Sequence, residues 1–116
     1  VGSLHLRKGE AAGRGIRSVQ YSREEYVVDP RFQAPRRFYA TTGLSVREDG
    51  TQESEETTLA ARNALLAMIE YLASQRGYTR EQAYAICSVA VDLKISEMVD
   101  VPNMVVSAVL PLDIFV

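Results

Sequence analysis

The residue with the clearest chemical potential is a carboxylate that follows an apolar stretch. Asp92 comes directly after residues 83–91, a run without any charged side chain. A carboxylate in that place needs a partner, a metal or water, because burying an unpaired charge is costly. We therefore select Asp92 as a candidate catalytic-site residue, in an orienting role or in the shell of a metal. The alternative is that Asp92 faces water or accepts hydrogen bonds from nearby backbone N–H groups.

A second candidate is the pair Thr41 and Thr42, which precedes Gly43 at the end of the stretch FYATTG. A hydroxyl beside the open backbone of a glycine can line a pocket and hydrogen-bond a small substrate. We predict on this basis that Thr42 and Gly43 bind substrate. The ordinary explanation is that Thr favours strands, and that Gly43 marks a bulge or a close approach of another backbone.

The remaining reactive side chains are few. Cys87 is the only cysteine and His5 the only histidine, so this chain has no internal disulfide and cannot build a cysteine or multi-histidine metal cluster by itself. Cys87 lies in an apolar stretch, where a thiol lacks exposure and a base, and we interpret it as a packing residue. The unpaired thiol, the polar N-terminus and the absence of an apolar run of about 20 residues predict a cytoplasmic protein without a membrane partner.

Two consecutive helices are expected to position these candidates. The first is predicted over residues 57–75, after an acidic start at 54–56 and before a terminating Gly77. The second begins at Thr79, where Thr79 and Gln82 fit a capping box. Its following residues, 83–91, are almost wholly apolar, so we expect this helix to be buried on most sides.

Short strands flank the helices, as alternating and β-branched stretches predict. They are expected at residues 3–7, 16–21, 26–28, 36–46, 93–99 and 103–110, with a turn over residues 9–15. The order of strands, two helices and strands predicts an α+β fold, with the helices packed on a mixed or antiparallel sheet. A length of 116 residues suits a single domain, residues 1–116.

Charge is distributed unevenly along the chain. Residues 1–38 carry eight Lys and Arg against four Asp and Glu, whereas residues 39–116 carry five against eleven. The basic side chains are scattered and form no helical stripe, so we predict that they face acidic groups of the second half or of a partner chain and bind no nucleic acid.

Taken as a set, these stretches resemble the acetamidase/formamidase family. The residues that carry the resemblance are LHLRKGE (4–10), FYATTG (38–43), GYTREQAY (77–84), SVAVDLKISEMVD (88–100) and LPLDIF (110–115). The resemblance covers nearly the whole chain but corresponds only to the C-terminal part of the family's full-length members. The chain also begins at Val1 without an initiator Met, and we expect it to be part of something longer.

The resemblance implies an amide hydrolase that converts small aliphatic amides, such as formamide or acetamide, to ammonia and a carboxylate. It also implies that most catalytic groups, and any divalent metal with its ligands, belong to sequence outside this chain. The expected partners are the amide substrate, the remaining N-terminal part or a second subunit, and further copies in a homo-oligomer. The alternative is a non-catalytic interaction module that keeps the family fold and dimerises through its second helix and final strand.

Overall fold

The computed structural model describes residue 18, residues 20–98 and residues 101–116. The chain divides into two compact units, which are Val1–Ala34 and Pro35–Val116. Among the described residues of the first unit, a 3₁₀ turn covers Pro30–Phe32. No regular strand occurs at 26–28, so that prediction is wrong. The strands predicted at 3–7 and 16–21, and the turn at 9–15, lie wholly or largely outside the described residues.

The second unit contains a three-stranded antiparallel sheet and two helices. Its elements are β1 (Phe38–Leu44), α1 (Thr57–Arg76), α2 (Arg80–Ala90), β2 (Asp92–Glu97) and β3 (Val105–Pro111). The last strand lies in the middle, giving the order β1-β3-β2, with both neighbours antiparallel to β3. The predicted α+β class with helices on an antiparallel sheet is therefore confirmed.

Both helices begin, and α1 also ends, where local chemistry predicts. The Glu56 carboxylate accepts a hydrogen bond from the Thr58 N–H at 3.0 Å and caps α1. Gly77 ends α1 in the left-handed region, at φ 74°, which glycine adopts without penalty. At the start of α2, Thr79 and Gln82 form the predicted capping box, with side chain to backbone distances of 3.1 and 3.0 Å.

The core lies between α1 and the strands β1 and β3. Its fully buried members from α1 are Ala60, Ala64, Met68 and Leu72, and those from β3 are Ala108 and Leu110. The helix face that packs on the sheet is thus built partly from alanines and not only from the large apolar residues. Small side chains on a helix allow its backbone to come close to a strand, which matters for Gly43 below.

The second helix is less buried than its composition predicts. Only Ala83 and Cys87 of α2 are buried, while Tyr84 is 67% and Val89 is 87% exposed. The expectation of burial on most sides is therefore wrong, because α2 packs mainly along α1 and leaves these two side chains exposed. No described helix combines the length and apolar character needed to cross a membrane.

Candidate functional site

Asp92 begins β2 and does not extend from the end of a helix. The helix α2 ends at Ala90, Val91 follows as its C-cap, and Asp92 is already paired with Val109 of β3. Val109 is in turn paired with Ala40 of β1, so the three residues form one row across the sheet. The Asp92 side chain is exposed, as in the water-facing alternative.

Thr42 and Gly43 lie on opposite faces of β1. The Thr41 hydroxyl donates a hydrogen bond to the Ala64 carbonyl of α1 at 2.7 Å, which places Thr41 and Gly43 on the helix side. Successive residues of a strand point to opposite faces, so Thr42 points away from the helices. The sheet therefore separates Thr42 from Gly43, the two residues that we predicted to bind substrate.

Gly43 marks a close approach of two backbones, one of the two explanations considered for it. A Cβ atom added there would lie 2.9 Å from the Asn63 carbonyl carbon, and nearer still to the Ala60 oxygen and the Ala64 nitrogen. Backbone atoms of the helix therefore occupy the space that a side chain at position 43 would need. The predicted contact of Gly43 with substrate stays a prediction.

The face of the sheet that points away from the helices, which we call the outer face, brings polar side chains together. Thr42 of β1 and Lys94 of β2 are both paired with Ser107 of β3, so the three form a second row beside that of Asp92. The hydroxyls of Ser96 and Ser107 are 2.6 Å apart and hydrogen-bonded. Because strands are spaced about 4.8 Å apart, Thr42 and Lys94 lie about 10 Å from each other across β3.

The outer face carries both donors and acceptors of hydrogen bonds, the two kinds of group that complement a primary amide. A carboxylate such as Asp92 accepts from an amide NH₂ group, while hydroxyls and the Lys94 ammonium donate to a carbonyl oxygen. Lys94 and Ser107 were absent from our sequence-based candidates. Lys94 follows Asp92 by two residues and so shares its face of β2. Only the register of the sheet groups Thr42 and Ser107 with them, since those residues are far apart in sequence.

The described part of the chain contains no cluster of metal-binding side chains, and its cysteine is not placed to react. Among those residues, no three His, Cys, Asp or Glu side chains are placed to hold one ion. Cys87 is free and 7% exposed, and burial raises the pKa of its thiol above the usual value of 9.0. A protonated, covered thiol is a poor nucleophile, which agrees with the packing role predicted for Cys87.

The loop after β1 is fixed by polar contacts on both sides. The Asn63 side chain of α1 donates hydrogen bonds to the carbonyls of Leu44 and Val46, each at 2.8 Å. Further along, hydrogen bonds from Thr51 hold the pKa of the Asp49 carboxyl below its usual value of 3.8. The hydrogen bond from Asn63 to the Leu44 carbonyl joins the end of β1 to α1, two residues from Thr42.

Comparison with known proteins identifies relatives of one kind. A protein of Schizosaccharomyces pombe named "Putative formamidase" is 37% identical over 89 residues, which are 76% of this chain and 21% of that protein. The formamidase of Methylophilus methylotrophus is 42% identical over 74 residues, covering 63% of this chain and 18% of the enzyme.

Among solved structures, the gamma lactamase from Delftia acidovorans matches with a TM-score of 0.70 and 36% identity, over 93% of this chain and 25% of the lactamase. The chain thus spans about a fifth of the curated relatives and a quarter of this structure. The model of the acetamidase/formamidase family matches residues 3–116, nearly the entire sequence. The chain belongs to the acetamidase/formamidase family.

Proposed function

We propose that this chain is the C-terminal region of an amide hydrolase that acts on small aliphatic amides such as formamide or acetamide, releasing ammonia and a carboxylate. The observation that carries the proposal is the family match over residues 3–116. The names of the three similar proteins above are formamidase, for two of them, and gamma lactamase, and both names denote hydrolysis of an amide C–N bond.

The outer face is the part of this chain that we assign to the substrate. Hydrolysis of an amide needs an activated water, donors to the carbonyl oxygen and a proton for the leaving nitrogen. Thr42 would donate to the substrate, and Asp92 would orient the substrate amide or a neighbouring catalytic group. The activated water, and any divalent metal, are expected on residues outside this chain.

Several further properties belong to the same proposal. Residues 1–116 would act as one domain, completed by an N-terminal part or a second subunit, and the assembly would be a cytoplasmic homo-oligomer. The free, buried thiol of Cys87 is consistent with a reducing compartment. The alternative, a non-catalytic interaction module, is favoured by one observation, namely the exposed apolar side chains of α2.

A chimera tests the enzyme against the module. The segment of the Methylophilus methylotrophus formamidase that matches this chain is replaced by this chain, and ammonia release from formamide is compared with that of the parent enzyme. We expect a folded chimera to retain activity, because the grafted segment belongs to the same family. A chimera with the parent's circular dichroism spectrum and oligomeric state but no ammonia release would instead favour the module.

The same chimera tests Asp92. Asp92→Asn keeps the size of the side chain and removes its charge, so an orienting role predicts a decrease in kcat of about tenfold or more with unchanged thermal stability. The control is Asp113→Asn, which changes a carboxylate ion-paired with Arg37 at 3.4 Å and not part of the outer face. Equal kcat values for the two variants would remove Asp92 from the site while leaving the amidase proposal intact.

A further inference from the structure

Among the residues that the structure describes, β2 is an edge strand of the sheet, and its helix-side residues are only partly covered. Leu93 and Ile95, paired with the buried Ala108 and Val106 of β3, are 47% and 59% exposed. The other edge, β1, differs because α1 covers its helix side, where Tyr39 stacks on Tyr71 with ring centroids 3.7 Å apart. An edge strand with exposed apolar residues is a template on which another strand can add.

The charged residues of β2 determine which strand can pair with its free edge. Its sequence, DLKISE, places Asp92 and Lys94 two residues apart on the outer face and Leu93 between them on the helix side. If two copies of β2 pair antiparallel with Leu93 opposite Leu93, then Asp92 of each copy lies directly opposite Lys94 of the other. Directly opposed, oppositely charged residues stabilise a strand pair.

Neighbouring registers are less favourable. With Lys94 at the centre, two lysines of like charge would lie directly opposite each other, which is destabilising. With Ile95 at the centre, Glu97 would lie opposite Leu93 and no ion pair would form. In the Leu93 register, by contrast, Val91 lies opposite Ile95, so the helix-side residues that meet are all apolar.

We propose that two copies of this chain associate through their β2 strands, centred on Leu93 and held in register by reciprocal ion pairs between Asp92 and Lys94. The result is a continuous six-stranded antiparallel sheet, with the helices of both copies on one face. Backbone hydrogen bonds join the two edges, and the exposed Leu93 and Ile95 side chains of both copies are brought together. In a monomer, Lys94 on the edge disfavours addition of unmatched strands.

A charge-reversal experiment tests the dimer and its register together. Asp92→Lys leaves two positive residues on each β2, and Lys94→Glu leaves two negative ones, so each variant repels its own copy. We expect each alone to have a dimer Kd at least about tenfold higher than the unmodified chain, measured by sedimentation velocity. An equimolar mixture of the two variants restores both ion pairs, and we expect it to form a heterodimer.

Controls separate this result from misfolding and from other occupants of the edge. Arg62→Glu makes the same change of charge as Lys94→Glu, but on the exposed surface of α1, and should leave the Kd unchanged. Circular dichroism confirms that each variant is folded. If the unmodified chain is monomeric at about 100 µM, the proposal is overturned, and the edge of β2 pairs with a different polypeptide instead. The proposal would also be overturned if each single variant dimerised with the same Kd as the unmodified chain.

Discussion

Replacing Gly43 by alanine is the most direct test of how β1 and α1 are packed. The glycine has no positive φ, so alanine can adopt its backbone conformation, and the only change is the added methyl group. That methyl group would lie 2.9 Å from the Asn63 carbonyl carbon, and closer to backbone atoms of Ala60 and Ala64. Carbon atoms in contact are normally 3.5–4.0 Å apart, so strand and helix must separate by about 1 Å.

The cost follows from what that separation disturbs. Overpacking a core costs about 1–3 kcal/mol, and each hydrogen bond weakened adds about 1 kcal/mol. Two such bonds join these elements, from Thr41 to the Ala64 carbonyl at 2.7 Å and from Asn63 to the Leu44 carbonyl at 2.8 Å. We therefore expect a loss of about 3–5 kcal/mol in the free energy of unfolding, which corresponds to a decrease in Tm of at least about 12 °C for a domain of this size.

Urea and thermal unfolding, followed by circular dichroism, measure this loss. The matched control is Thr42→Ala, one residue away on the outer face, which we expect to change stability by no more than about 0.5 kcal/mol. A second variant, Gly43→Ala with Ala60→Gly, should remain destabilised because the obstructing atoms belong to the helix backbone. If the Gly43→Ala variant unfolds at the same urea concentration as the unmodified chain, the close approach of the β1 and α1 backbones is refuted.

Two further predictions concern the loop that follows β1. Asn63→Ala removes both donors to the Leu44 and Val46 carbonyls, and we expect a loss of about 1–3 kcal/mol, whereas Asn63→Gln should lose less in the same urea titration. The pKa of Asp49 is lowered by Thr51, so its contribution to stability is present above the usual value of 3.8 and is lost as the pH falls through the lower, folded-state pKa. The difference in unfolding free energy between the unmodified chain and Asp49→Asn should therefore be constant above about pH 5 and change to the disadvantage of the unmodified chain in stronger acid, and a difference that does not vary with pH would contradict this.

Sequence reasoning succeeded where the signal is local. The capping box of Thr79 and Gln82, the terminating Gly77 and the acidic start of α1 each depend on a few neighbouring residues, and all are confirmed. The ends of the strands were less well defined: β1 was expected at 36–46 and covers Phe38–Leu44. Such limits depend on where a partner strand ends, and the residues of the strand itself do not specify this.

Features that depend on distant residues were predicted less well. The exposure of Tyr84 and Val89 was not expected, because an apolar composition does not reveal whether a second layer exists to cover it. Likewise, the buried face of α1 contains Ala60 and Ala64, which contribute little to a search for large apolar side chains. Their importance becomes clear only once the approach of Gly43 is known.

The candidate site illustrates the same limit most sharply. Thr42 and Gly43 are adjacent in sequence, which suggested one pocket, but the two-residue period of a strand places them on opposite faces. Asp92, fifty residues away, shares the face of Thr42 because both lie on strands that pair with β3. A hydroxyl and a carboxylate on one open face form a surface that needs a facing partner to become a closed site.

That surface and the proposed dimer share Asp92, so the two proposals constrain each other. In the dimer, the Asp92 carboxylate of each copy lies opposite the Lys94 ammonium of the other. An Asp92 that orients an amide by accepting a hydrogen bond is compatible with this pairing, because a carboxylate has two oxygens that accept. If the charge-reversal mixture forms the heterodimer and Asp92→Asn lowers kcat in the chimera, the role of Asp92 is that of an orienting acceptor.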